Sequence, residues 1–249
     1  MFYARKLYVA AIVLTAFFFS GGTAFAAFDP ESYAVDDGVF YTLDAQGEWT
    51  KVEGARVGEE DIQGKKIYWY AVSPDTHEMH KDWIGGIYFF GDNGKFISMV
   101  KKEDAERSYV QFSPDGEQFI LNSGTYVNRE YLLYEFDGLK LKKSFHGIGL
   151  AWLDPVRFVF TLIDTSKDER YEGAANSGTL FEGWLSVVVY DSAADSLTTV
   201  VEATKTEDFM MNEFDGNTGE LVITKISVTD EKDWAEENLK HEEIRVRVP

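Results

Sequence analysis

His77-Glu78-Met79-His80 places two of the chain's four histidines three residues apart. Imidazole suits zinc or copper, so two histidines this close invite a metal reading. The spacing works against it. On a strand, residues three apart point to opposite faces, and the helical zinc-protease arrangement needs a spacing of four. There is no cysteine, and His146 and His241 are far away in sequence. These are therefore read as surface histidines, and no metal is expected. Asp215-Gly216-Asn217-Thr218-Gly219-Glu220 places oxygen ligands at alternate positions, as calcium loops do. It lacks a third Asp or Asn and the distal bidentate Glu, and it falls where a β-turn is needed, so the turn reading is preferred.

Other catalytic patterns are weaker. No Gly-x-Ser-x-Gly is present. Gly85-Gly86 and Gly147-Ile148-Gly149 lack the phosphate-binding spacings, so no nucleotide cofactor is expected. Acidic pairs could build a glycosidase site, but 43 Asp and Glu residues place carboxylates near one another by chance. No catalytic residue is singled out.

The elements that would position any site are strands. Val39–Leu43 and Glu48–Val52 flank the polar turn Asp44–Gly47, which reads as a hairpin. The same shape returns at Ile87–Phe90 with Lys95–Val100, at Tyr131–Phe136 with Leu139–Lys143, and at Leu185–Tyr190 with Ser196–Val201. Between these hairpins lies a second kind of turn. Ser73-Pro74-Asp75-Thr76 comes first, then Ser113-Pro114-Asp115-Gly116, forty residues later. Leu153-Asp154-Pro155-Val156 and Phe214-Asp215-Gly216-Asn217 follow, each between short aromatic and β-branched runs. Proline presets φ, Asp and Ser bond nearby N–H groups, and Gly takes φ > 0, so turn chemistry accounts for these residues without a catalytic role. Strand units at this period predict propeller blades.

Phe112-Ser113-Pro114-Asp115-Gly116 resembles the F-S-P-D-G signature of TolB-like and WD40-like β-propellers, in which it marks the turn between the two inner strands of a blade. Val72-Ser73-Pro74-Asp75 is similar; the later copies keep only Asp154-Pro155 and Phe214-Asp215-Gly216. The resemblance implies a binding platform as the commoner use of such a fold, with enzymes among its members, and it names no ligand.

The fold expected is thus all-β: a small propeller-like array of four-stranded antiparallel meanders, four or five blades, with an antiparallel barrel or sandwich as the alternative. Ala27–Gly38 is read as an irregular leader. The last strand, Glu243–Val248, is expected to pair near an N-terminal strand and close the ring, hiding two edges. Thr229–His241 is read as a short helix capped by Thr229, with Trp234 and Leu239 facing inward.

Residues 1–26 read as a signal peptide: Arg5 and Lys6, the apolar run Leu7–Phe19, and the small-x-small site Ala24-Phe25-Ala26. The mature domain is then 27–249, and a periplasmic or secreted location is expected. Removing Arg5 and Lys6 takes the net charge from −19 to −21. A field of that sign repels phosphate backbones and anionic headgroups, which argues against nucleic acid or an acidic membrane as partner. With no cysteine, the exported chain must be held by its core alone.

In a propeller the loops joining the second and third strands of each blade share one face. They are His80–Gly86, Asn122–Glu130, Asp164–Gly183 and Thr229–Glu242, and they carry Trp83, Tyr126, Arg129, Arg170, Tyr171 and Trp234. Aromatic and arginine side chains on loops are common interface anchors. This face is the expected binding surface for a protein or an envelope polymer, and no cofactor is expected. The rival reading is a carbohydrate-active enzyme with carboxylates in a central funnel.

Overall fold

The computed structural model describes residues 30–44, 46–52, 57–72, 85–102, 105, 108–124, 129–167 and 183–248. All the regular structure among them is antiparallel strand and short 3-10 turn. None of the described helices is long and apolar enough to cross a membrane.

The strands pair in chain order, each with its sequence neighbour. The first sheet is β1 (Tyr33–Asp36), β2 (Val39–Leu43) and β3 (Trp49–Lys51). The second is β4 (Val57–Ile62), β5 (Lys65–Val72), β6 (Gly86–Phe90) and β7 (Phe96–Lys101). A seven-stranded sheet follows, running from β8 (Tyr109–Phe112) through β9 (Gln118–Gly124), β10 (Arg129–Glu135), β11 (Lys140–Trp152), β12 (Arg157–Asp164) and β13 (Trp184–Asp191) to β14 (Ser196–Val201). The last is β15 (Glu207–Asp215), β16 (Glu220–Ser227) and β17 (Lys240–Arg247).

The seven-stranded sheet is two meanders sharing one strand. Up to His146, β11 pairs with β10; from Gly147 onward it pairs with β12. The array therefore holds five successive meanders, called the first to fifth sheets below, and the third and fourth meet within β11. Two glycines make that junction possible. A Cβ on Gly147 would lie 2.6 Å from the Thr161 carbonyl oxygen and 2.7 Å from the Phe160 ring. Gly149 sits at φ +58°, and a Cβ there would lie 2.6 Å from the Met211 carbonyl oxygen. Side chains at either position would push the fourth and fifth sheets off β11.

The second, third and fourth sheets bury both faces, because period-2 alternation sorts their residues into two cores. In β9, Phe119 and Leu121 face the second sheet and pack with Ile87 and Phe89. Ile120, between them, faces the fourth sheet with Phe158 and Phe160. In β12 the pattern repeats: Phe158 and Phe160 pack toward the third sheet, and Val159 joins Phe209, Leu221 and Ile223 of the fifth. Such strands read as continuous apolar runs, as sheets covered on both sides must. Phe119, Phe158 and Phe160 are wholly buried, each worth about 1.5–3 kcal/mol of transfer free energy. The result is a stack of propeller-like meanders.

Three expectations are corrected. The leader is not irregular throughout: β1 pairs with β2, turning through Asp37 and Gly38, both at positive φ. This is the turn type that matches the twist of a two-residue hairpin, and Asp-Gly is its usual sequence. Second, β4 fills a stretch assigned to no strand. It pairs with β5 through Gln63 and Gly64, again both at positive φ, with the Gly64 N–H donating to Asp61 Oδ1 at 2.8 Å. Third, the C-terminal strand pairs with β16, not with an N-terminal strand. Among the described residues no ladder joins the first and fifth sheets.

Candidate functional site

Register fixes which strand ends share a side. The β9–β10 turn brings Gly124 opposite Arg129, and Glu130 pairs with His146. The next residue of β11, Gly147, pairs with Leu162 near the end of β12. The second-to-third-strand ends of the third and fourth sheets are therefore adjacent. The Leu185 N–H at the start of β13 donates to Asp208 Oδ1 in β15 at 3.0 Å, which brings in the fifth sheet. Lys102, just after β7, lies 4.0 Å from Glu130 and brings in the second. The strand ends joined by the long connections of four sheets thus gather at one end of the array.

Of the six residues expected to anchor a partner there, Trp83, Tyr126, Arg170 and Tyr171 lie outside the described residues, as do His77, His80 and Ser73–Thr76. Arg129 is described and built into the surface. Its Nη1 donates to Asn122 Oδ1 at 2.9 Å, and its guanidinium carbon lies 5.9 Å from the centre of the Tyr109 ring. Tyr109 pairs with Asn122 across the β8–β9 ladder and is 56% exposed. Below this cluster, burial pushes the Tyr131 phenol well above its ordinary range, against the opposing pull of Arg129.

Trp234 faces inward, as one of its two readings expects, and is not an exposed anchor. It is 5% exposed, and its Nε1 donates to the Lys205 carbonyl at 3.2 Å, so it roofs the fifth sheet as a core residue. The segment around it is not a helix. Asp230 Oδ1 accepts the Lys232 N–H, the Asp233 N–H donates to the Asp230 carbonyl, and Ala235 is extended. Only Glu236–Asn238 forms a 3-10 turn. Aspartate turns compete with helix initiation here, and they win.

Sequence reasoning passed over Tyr109, Asn122, Lys167 and Trp184. Lys167 Nζ lies 5.3 Å above the Trp184 ring at the equivalent end of the fourth sheet, and contacts Asp164 Oδ2 at 3.6 Å. Tyr109 and Trp184 each begin a strand, and strand content alone marks them as core. The outward position of Tyr109 follows only from register.

The opposite end carries the tight turns. An open groove of about 560 Å³ is bordered there by Glu117, Gln118, Glu135, Asp137 and Lys142, with Glu135 3.3 Å from Lys142. All of its walls come from the third sheet, whereas a central funnel would draw carboxylates from several. The Asp215 loop folds as a turn: Asp215 Oδ1 accepts the Asn217 N–H at 2.8 Å and Oδ2 the Thr218 hydroxyl at 2.9 Å. The Asn217 N–H is the largest influence holding that carboxyl below the usual aspartate value.

No protein-family model and no curated protein matches the chain. Solved structures similar to it include TolB from Acinetobacter baumannii, at 14% identity and TM-score 0.40, over 86% of this chain and 49% of that one. The C-terminal WD40 domain of Sif2 is 12% identical, with TM-score 0.43 over 84% and 55%. The β-propeller domain of the Trilobed protease from Pyrococcus furiosus is 9% identical, with TM-score 0.43 over 85% and 63%. The chain spans roughly half the length of the first two. Its architecture is read from its own ladder order.

Proposed function

We propose that this protein is an exported binding scaffold that engages a protein or an envelope polymer through the end of the array where the strand ends joined by the long connections gather. One observation carries the reading: Tyr109 stands exposed, with Arg129 stacked on its ring and tied to Asn122. Tyrosine and arginine are the residue types that dominate interface energetics. Two χ angles and a fixed guanidinium leave little side-chain entropy to lose when a partner docks. The Lys167–Trp184 pair extends the same chemistry to the fourth sheet. The basic-then-apolar start and its small-residue cleavage site support export.

A photo-crosslinking side chain placed at position 109 tests this in the native host. A discrete adduct is expected at 109, lost in Arg129→Ala, and absent with the cross-linker at position 137 on the turn end. Equal labelling from both ends, or none from 109, would remove the assigned surface. Mature protein beginning at Ala27 in the extracytoplasmic fraction is the expected outcome for the export part.

A further inference from the structure

We infer that the outer edge of β14 is a strand-addition site for an extended, β-branched segment of a cationic partner, carrying basic residues about seven positions apart. It lies on the rim of the fourth sheet and meets the surface proposed above only where Glu202 contacts Lys167.

β14 ends the seven-stranded order, with β13 on one side and no strand on the other among the described residues. Ser196 to Thr199 are exposed on both faces, and Leu197 is 47% exposed. Open edges are hazards that proteins ordinarily blunt with charge. Two of the other outer strands are blunted in this way, whereas β7 carries no charge between Lys95 and Lys101. The outer strand of the third sheet carries Lys140, Lys142 and Lys143, and β17 carries Lys240, Glu242, Glu243, Arg245 and Arg247. Between Asp195 and Glu202, β14 has no charged residue at all. Its only blunting device is Val200, which bulges where the register with β13 shifts. The regular ladder open to a guest is Ser196–Thr199.

The charges at its ends say what fits. Asp195 and Glu202 keep 66% and 72% of their side chains exposed. Asp195 already accepts Lys143 Nζ and the Tyr190 hydroxyl at 2.8 Å each, and Glu202 lies 3.9 Å from Lys167. Among the described residues, neither Asp195 Oδ2 nor Glu202 Oε2 has a hydrogen bond or ion pair. At about 3.3 Å per residue the two carboxylates lie about 23 Å apart along the strand. An added strand with a cation at each end satisfies both, and the protein's net charge of −19 steers such a strand inward. A second copy of this chain is disfavoured by that same charge. Its β7 is also flanked by lysines, Lys95 and Lys101, but a bridge from Ala34 to Lys95 already occupies the start of that edge. Main-chain hydrogen bonds then supply affinity, and alternate side chains supply selectivity.

The test uses the folded protein and a synthetic octapeptide, Lys-Thr-Val-Thr-Val-Thr-Val-Lys. Saturable binding below about 1 mM is expected, with amide-exchange protection confined to residues 196–199. Asp195→Asn combined with Glu202→Gln should weaken binding roughly tenfold. A peptide N-methylated at alternate residues keeps its charge, loses the ladder and should not bind. A peptide with Glu at both ends should also fail. No saturable binding, protection elsewhere, or equal binding of the N-methylated peptide overturns the inference. So does concentration-dependent self-association that protects 196–199, which would make the occupant a second copy.

Discussion

The third and fourth sheets solve one problem in two ways. Each must reverse the chain between its two inner strands, beside the other's turn. In the third sheet Ser113–Gln118 does this through a buried hydroxyl. Ser113 Oγ donates to Asp115 Oδ1 at 2.6 Å and accepts the Gln118 N–H at 3.0 Å, while Gly116 turns the chain at φ +76°. In the fourth sheet the shorter turn Leu153–Arg157 has no residue at positive φ. There Asp154 Oδ1 accepts the N–H groups of Val156 and Arg157, and Oδ2 accepts Arg157 Nε at 2.7 Å. Two polar contacts join the neighbours: Gln118 Nε2 reaches the Pro155 carbonyl at 3.4 Å, and Trp152 Nε1 reaches the Gln111 carbonyl at 3.3 Å. A turn motif can therefore decay along a repeat without the blade decaying, because an ion pair can replace a glycine and a serine.

The largest expected break lies at Gly116. A Cβ there would sit 2.5 Å from Ile62 Cγ2, on a backbone that L side chains rarely adopt. Gly116→Val should cost about 3 kcal/mol, from backbone strain and from displacement of β4. Val156→Gly, in the fourth sheet's turn, should cost no more than about 1 kcal/mol. Denaturant midpoints at unchanged slope measure both. Equal losses would mean the two turns are alike after all. Ser113→Ala comes next. It leaves the buried Gln118 N–H without its acceptor, and a loss of about 2 kcal/mol is expected. A loss below the error of the measurement would show that the hydroxyl is dispensable.

The same contrast explains how much was legible in the sequence. Hairpins with polar turns between aromatic runs could be read directly, because turn chemistry and strand period agree there, as at Gly91–Gly94 between β6 and β7. β4 was not legible, since Val57-Gly58-Glu59-Glu60-Asp61-Ile62 alternates weakly and is half-exposed. β1 left a signal that went unread, the Asp37-Gly38 pair. The site was less legible than the fold. Trp234 looks like a surface anchor in a charged segment, but the segment's aspartates bend the chain and drop the indole onto Lys205. Tyr109 looks like core in a strand, but it lies on the face of β8 opposite the buried Val110 and Phe112 and is exposed. Whether an aromatic side chain points out or in depends on register, and register is set by partners distant in sequence.

The smallest effect is the sharpest test of the comparison, because it has a sign in pH. Burial alone would raise the Asp154 carboxyl. The Arg157 side chain and the N–H groups of Val156 and Arg157 together hold it below its ordinary value of 3.8. A carboxyl whose folded value is depressed contributes stability above its unfolded value and loses that contribution as pH falls through the folded one. Asp154 therefore stabilises the fourth sheet above about pH 4, and its share disappears below that. Arg157 is substantially exposed, so the share is screened, and about 0.5 kcal/mol is expected. Asp154→Asn should lower stability at pH 7 by that amount and flatten the decline between pH 4 and pH 2, whereas Ser113→Ala, which removes no ionisable group, should shift the whole curve without changing its slope. If Asp154→Asn leaves the acid limb as steep as in the parent, the Arg157 pair is not what replaces the glycine turn, and the N–H groups of Val156 and Arg157 carry that turn without need of the charge.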